Sequence, residues 1–318
     1  MENKVKIEEL DSATKSFEGY RFRGPSGSTG YLMPKPYKEL ADNILNMTVR
    51  PDDVWVTGYP RSGTTLTQEL VWQVANECDF VTASKIPLMA RYMFLEGKMS
   101  VNLLKSKLKG EVSEPIYTQE AIDAAPSPRF IKTHMPFSLL PSNLLDTTKV
   151  VYIARDPRDV AVSLYQFIKK LMQYFEEFKS FWNLFYNEMV IYSPILAHIR
   201  EAWDLRHHPN MMFIFHEDML KDVPLSIKRM ADFLDKKLTD EQIVKLSEHL
   251  SIKNFRKNES VNPTWINKGG DPNAEGFVRK GESGAWREHF DEEMTAQAER
   301  WMRDNLAGSD LHFPDYAS

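Results

Sequence analysis

Cysteine is almost absent. Cys78 is the single one in 318 residues, so no internal disulfide can form, and a reducing compartment suits such a chain. Positive charge is not in excess either. The 40 Lys and Arg are outnumbered by 45 Asp and Glu, a net charge of −5, which removes the surplus of cations that broad binding to nucleic-acid phosphates requires. Any anion site must therefore be a local concentration of positive groups. No window approaches the ~20 apolar residues of a membrane span, and the first ten residues, Met1 to Leu10, hold no apolar core of a secretory signal. There is no internal repeat and no low-complexity linker. These absences lead to the expectation of a cytoplasmic protein whose partners are neither nucleic acid nor membrane.

What is present reads as a globular α/β chain. Hydrophobic residues make up 42% and aromatics 12%, enough for one sizeable core. Residues 1–52, with Gly and Pro scattered from Gly24 to Pro36, read as an irregular lead-in packed on a single domain over 53–318. Within that domain short apolar runs alternate with helical patterns. Val54–Thr57, Phe130–Lys132, Val150–Ala154 and Met211–Phe215 read as strands. Leu66, Leu70, Val71 and Val74 recur at helical spacing. Asp156-Pro157 is a helix start, an Asp cap followed by Pro at the first helical position, for a helix reaching towards Met172. Helical patterns fill 225–235, 239–250 and 291–305. Alternation of this kind predicts a central parallel sheet with helices on both faces, and in such sheets ligands bind at the carboxyl ends of the strands.

The strongest local feature stands at one of those ends. Gly58-Tyr59-Pro60-Arg61-Ser62-Gly63-Thr64-Thr65 follows a strand and opens a helix, where backbone N–H groups and the helix dipole favour an anion. Gly63 lets the backbone approach, Ser62, Thr64 and Thr65 supply hydroxyls, and Arg61 supplies a planar cationic fork. A plain strand-to-helix turn is the bland alternative. The nucleotide P-loop G-x-x-x-x-G-K-[ST] is the nearest functional rival. Thr64 replaces its lysine, which would leave a triphosphate poorly neutralised, so the P-loop-like element here suits a less charged phosphate group.

This loop resembles the 5′-phosphosulfate loop of the cytosolic sulfotransferases, Tyr-Pro-Lys-Ser-Gly-Thr-Thr-Trp. Other segments follow in that family's order over roughly 50–290. Lys132-Thr133-His134 with Pro136 resembles the Lys-Thr-His segment that carries the catalytic base. Arg155 and Asp159–Ser163 resemble the segment whose Arg and Ser hold a 3′-phosphate. Glu217-Asp218-Met219 follows a strand as it does in the family. Arg279-Lys280-Gly281, with Gly284 and Trp286, resembles the segment that closes over the 3′-phosphate. The resemblance implies an enzyme that transfers a sulfuryl group from 3′-phosphoadenosine 5′-phosphosulfate (PAPS) to a hydroxyl or amine of a small acceptor, leaving the bisphosphate PAP. The charges agree with it: Arg155, Arg279 and Lys280 offer two guanidinium forks and an ammonium to a dianionic 3′-phosphate, with Ser163 as a hydroxyl donor.

In this reading His134 is the general base, since imidazole, with an ordinary pKa near ~6.5, suits proton abstraction around neutrality. Lys132 steadies the transferring group and Arg61 the leaving phosphate oxygen, with direct in-line transfer. The other histidines, among them His198, His207, His208, His249, His289 and His312, read as surface or core residues. No His, Cys or carboxylate cluster has metal-ligand spacing, so no metal is expected. Glu217 and Asp218 are structural here, although in a nucleotide kinase they would hold Mg²⁺.

Several positions depart from the family pattern. Arg61 stands where lysine is usual. Leu66 replaces the tryptophan that stacks on adenine, and His216 replaces a tyrosine. Leu250 and Ile252 stand where a threonine and a phenylalanine are usual, so adenine would be held by aliphatic contact and a His hydrogen bond. Arg287 to Glu292 lacks the Thr-Val core of the family's dimer motif, which predicts a monomer or a weak homodimer. Ile86 to Leu95 with Phe137 and Phe167 is apolar enough to line an acceptor pocket, and Leu88 stands where a gating phenylalanine is common. Phenols, catecholamines, steroids and other alcohols are all admissible acceptors. Two further classes stay open: a P-loop kinase or NTPase, and a non-catalytic binder of adenosine bisphosphate on the same fold.

Overall fold

The computed structural model describes residues 4–9, 19–25, 27, 29–99, 117–172, 176–262 and 283–315. Two sheets are present among them. The larger is five-stranded and wholly parallel, built from β4 (Val54–Thr57), β5 (Met93–Phe94), β6 (Phe130–Thr133), β7 (Lys149–Ala154) and β8 (Met211–Phe215) in the spatial order β5-β6-β4-β7-β8. Thr57 at the end of β4 lies in register with Thr133 on one side and Tyr152 on the other. The expected α/β architecture is therefore the one observed.

The continuous apolar runs of these strands follow from burial on both faces. Alternate residues go to opposite sides. Trp55, Ile131, Val150, Tyr152 and Ala154 enter one core cluster, while Val56, Val151, Ile153 and Ile214 enter the other. The helix after β4, α1 (Thr64–Ala75), covers the second face with the helices Val223–Phe233 and Asp240–Leu250. The helix after β7, α2 (Pro157–Met172), covers the first face with α3 (Ile195–Asp204) and the C-terminal helix Glu292–Asn305. The short α4 (His216–Lys221) follows β8 directly. Asp156 caps α2 as its sequence predicts, accepting the Arg158 N–H at 2.8 Å.

Two differences from the sequence reading bear on the site. The N-terminal region is not merely irregular: β1 (Lys6–Glu9), β2 (Gly19–Arg23) and β3 (Tyr31–Pro34) form a small antiparallel sheet. Its Phe22, Tyr31 and Met33 are part of the first-face core. The strands are too short, and too interrupted by Gly and Ser, for alternation to stand out. The two-residue β5 was equally invisible, and it places Phe94 and the following Glu96 beside β6. Among the described residues no helix is long and apolar enough to cross a membrane.

Candidate active site

The loops at the carboxyl ends of β4, β6, β7 and β8 converge. After β4 the chain turns through Gly58 to Gly63 into α1. Arg61 there has φ 71°, a left-handed conformation a side-chain-bearing residue rarely holds. Its guanidinium is secured from α2: Nε donates to Ser163 Oγ at 3.1 Å, and the fork lies 4.9 Å over the Phe167 ring. Gly63 has φ 104°, and a Cβ placed on it would come 2.5 Å from His216 Nδ1. The loop thus packs against the start of α4 with room for hydrogen only. Ser62 Oγ and His216 Nδ1 are buried and have no hydrogen-bond partner. An orphaned buried hydroxyl at a helix N-terminus suits an anionic ligand that completes it.

At the end of β6, His134 is 8% exposed. Its Nδ1 lies 2.6 Å from the Gly58 carbonyl. A carbonyl only accepts, so Nδ1 carries the proton and Nε2 keeps its lone pair. The ring is held edge-on by Phe94 at 5.6 Å and Tyr192 at 5.8 Å. Burial first, and then the nearby Lys132 charge, keep His134 well below the usual histidine range. The imidazole is therefore neutral near pH 7 and able to accept a proton. Lys132 Nζ sits 4.2 Å over the Phe94 ring.

At the end of β7, Arg155 donates to the Arg61 carbonyl at 3.4 Å and lies 3.9 Å from Asp159. Asp159, 2% exposed, accepts the N–H groups of Gly284 at 2.7 Å and Trp286 at 3.0 Å. The Arg158 guanidinium covers Trp286 at 3.9 Å. One carboxylate on α2 thus anchors the C-terminal Gly-x-Trp stretch beside Arg155. Arg279, Lys280 and Gly281 lie outside the described residues.

The structure accordingly brings together Arg61, Ser62, Gly63, Thr64, Thr65, Lys132, His134, Arg155, Ser163 and His216 at one end of the sheet. Leu66 packs against the second-face cluster that contains Leu250, which is 4% exposed, while Ile252 is 39% exposed. Phe137 and Phe167 pack against the first-face cluster. Leu88 is 2% exposed within the second-face cluster, its N–H donating to the Ser260 carbonyl at 2.7 Å. The aromatic residue that meets His134 and Lys132 from this part of the chain is Phe94. Sequence reasoning also missed Glu96, fully buried, which accepts the His134 N–H at 2.5 Å and the Thr133 hydroxyl at 2.8 Å. Burial pushes its carboxyl up to about 7. An acidic residue closing the apolar run Met93-Phe94-Leu95 was its one visible signal. Among the described residues no group of three or more His, Cys, Asp or Glu could hold a metal ion.

Comparison with known proteins agrees with this geometry. A family model described as a sulfotransferase domain matches residues 51–310. Sulfotransferase 1A1 of Rattus norvegicus is 34% identical over 276 residues, covering 86% of this chain and 89% of that protein. Luciferin sulfotransferase of Photinus pyralis is 31% identical over 284 residues, covering 86% of this chain and 76% of that protein. Among solved structures, retinol dehydratase in complex with androsterone and the inactive cofactor PAP superposes with a TM-score of 0.86 at 41% identity, covering 98% of both chains.

Proposed function

From the premise that this chain belongs to the sulfotransferase family and uses PAPS as its donor, we propose that it sulfonates the hydroxyl of an apolar small molecule by direct in-line displacement, with His134 as the general base. The observation that carries this reading is the His134 ring itself: its Nδ1 proton is committed to the Gly58 carbonyl, which leaves Nε2 to take the acceptor proton. The neutral form is present before the donor arrives. Burial is the main cause that holds the imidazole pKa down, and Lys132 and Arg61 add to it; the negative charge of bound PAPS would offset those two cations and make His134 a stronger base when transfer occurs.

The residues present suit the donor. Ser62, Gly63, Thr64 and Thr65 would cradle the 5′-phosphosulfate at the start of α1. Arg61 would meet the charge that grows on the leaving phosphate oxygen, and Lys132 the transferring group. Arg155 and Ser163 would hold the 3′-phosphate, joined by Arg279, Lys280 and Gly281. Leu66, His216, Leu250 and Ile252 would border adenine. Phe94, Phe137 and Phe167 would line the acceptor side. The acceptor class follows the similarity to retinol dehydratase, whose solved complexes hold retinol and androsterone. A large apolar alcohol is thus favoured over a small catecholamine.

A second outcome of the same transfer follows from that similarity, which spans 98% of both chains. An allylic sulfate ester ionises readily: the C–O bond breaks, sulfate departs with the electron pair, and a proton lost from carbon leaves an alkene. Net dehydration would then be the product rather than the ester. The test is an assay with labelled PAPS against retinol, androsterone, a simple phenol and a catecholamine, with products separated by chromatography. Turnover is expected with the two apolar alcohols, and His134→Ala should lower it by about 100-fold or more. Near-parental turnover in His134→Ala would overturn the base assignment.

A further inference from the structure

The backbone of His134 is held from both sides by buried side chains that touch neither donor nor acceptor in the scheme above. On the β5 side Glu96 accepts the His134 N–H at 2.5 Å through Oε1 and the Thr133 hydroxyl at 2.8 Å through Oε2. Thr133 Oγ1 in turn accepts the Met135 N–H at 3.0 Å. On the other side His198, from α3, lies with Nε2 3.0 Å from the His134 carbonyl. That carbonyl can only accept, so Nε2 of His198 carries the proton and its Nδ1 accepts the Tyr152 hydroxyl at 2.7 Å. His198 is completely buried among Tyr31, Tyr59 and Tyr152, with ring centroids 5.7–6.1 Å apart.

We propose that Glu96 and His198 are positioning residues for His134: they pin the N–H and the C=O of its peptide units, from β5 and from α3, so that the ring can reach the Gly58 carbonyl with Nδ1 and present Nε2 to the acceptor. This rests on His134 being the base. Each group belongs to a different element, and the segment they fix is only Thr133 to Met135. A residue that follows a strand end has little ladder of its own to hold it. A shift of the order of 1 Å in a reacting group can lower a rate ~100-fold, which is the reason such a clamp matters.

The groups around the ring are charged as well as polar. The titratable and charged groups around His134 are Lys132 on its own strand, Arg61 after β4, Glu96 after β5, Tyr192 before α3 and His198 on α3. Glu96 in turn faces Lys132 and Tyr37. Glu96 is the carboxyl among these, and because burial raises it to about 7 it is largely protonated below neutrality, so its hold on the His134 N–H is a matter of geometry rather than of charge.

The experiment measures kcat, the PAPS KM, PAP affinity and the pH profile of kcat for His198→Leu, His198→Gln and Glu96→Gln. His198→Leu is expected to lose about 10- to 100-fold in kcat, with the PAPS KM and PAP affinity within about twofold of the parent. His198→Gln, whose amide nitrogen can still donate to the His134 carbonyl, should recover most of that loss. Glu96→Gln turns an amide N–H towards the Thr133 hydroxyl that Glu96 now accepts, so it should lower kcat about threefold or more while the acid limb of the profile stays in place. Tyr152→Phe removes one oxygen and frees the His198 tautomer, so it should lower kcat by itself even where His198→Leu does not fold. Unchanged kcat in both Tyr152→Phe and Glu96→Gln overturns the proposal. So does a loss of kcat that runs in parallel with PAP affinity and melting temperature, which marks a merely structural role. Activity in His134→Ala would sink the base reading itself; an inactive His134→Ala beside a fully active Tyr152→Phe and Glu96→Gln sinks the positioning alone.

Discussion

Glu217 shows how a single side chain can be legible in type but not in state. Its place after a strand marks it in the sequence as structural. In the structure Oε1 accepts the Asp156 N–H at 2.9 Å, tying α4 to the turn that carries Arg155, while Oε2 is buried without a partner. Burial pushes the carboxyl from its ordinary 4.5 up to about 7. A raised folded-state pKa contributes stability that is complete below about pH 4.5 and is lost as pH rises through about 7, where the folded protein must hold a buried carboxylate. Gln has no such charge. The melting temperature of Glu217→Gln relative to the parent should therefore rise between pH 5 and pH 8, read by thermal denaturation in matched buffers. A difference that stays flat or falls contradicts the buried charge. Arg61 is a second instance at this scale. The sequence supplied its charge, but its left-handed φ, its bond to Ser163 and its stacking on Phe167 required helix α2 to be folded beside it. A lysine could not combine that stack with a planar fork.

At the scale of elements, the turn from β4 into α1 carries the strongest expectation. Its spacing was readable because a glycine-rich strand-to-helix turn has a local cause. What was not readable is that Gly63 is fixed twice, by its own φ of 104° and by His216 arriving from the end of β8. Gly63→Ala should cost about 1–3 kcal/mol of folding stability from strain and weaken PAP by about tenfold or more as the helix start is pushed off the anion. Denaturant unfolding and calorimetric titration of PAP measure the two effects, and a variant that binds PAP normally would show that the loop does not form the cradle. The C-terminal Gly-x-Trp stretch has the same character: its sequence announces an ordered turn, but its anchor, Asp159, sits 125 residues away along the chain. Nor did the altered dimer motif reveal its local use. Asp291 caps the C-terminal helix through the Met294 N–H at 2.8 Å and pairs with Lys179 at 3.3 Å, while Phe290 packs on Trp182 at 4.8 Å.

Over the whole molecule the two ends of the sheet divide the work. The carboxyl ends carry the candidate site. The opposite end is closed by Arg129 and Asp53, both fully buried, in a paired contact of 2.6 and 2.7 Å, with Arg129 also donating to the carbonyls of Thr48 at 2.8 Å and Ile122 at 3.2 Å. This pair joins the starts of β4 and β6. Removing one partner leaves the other charge buried and unmatched, so Arg129→Ala should lose about 3–5 kcal/mol of stability. Turnover per folded molecule should be close to parental, because Asp53 and Arg129 sit at the amino ends of β4 and β6, away from the turn at Gly58–Gly63. Thermal melting combined with active-site titration separates the two, and a large loss of kcat in the folded fraction would show that the ends are coupled.

The amino-acid sequence by itself determined the parallel α/β class, the strands β4, β6, β7 and β8, the helix starts at Thr64 and Pro157, and the order of the segments proposed to hold the donor. Each has a local cause: continuous apolar runs, a capping Asp-Pro, a glycine turn with hydroxyls and a cation. Tertiary structure alone decided which buried groups face each other. Glu96 and His198 on the two sides of His134, Asp159 under Trp286, His216 against Gly63, and Phe94 against the His134 ring are contacts between residues far apart along the chain. Their energetics come from desolvation and from hydrogen bonds that exist only once the sheet is assembled, and no periodicity or spacing records them.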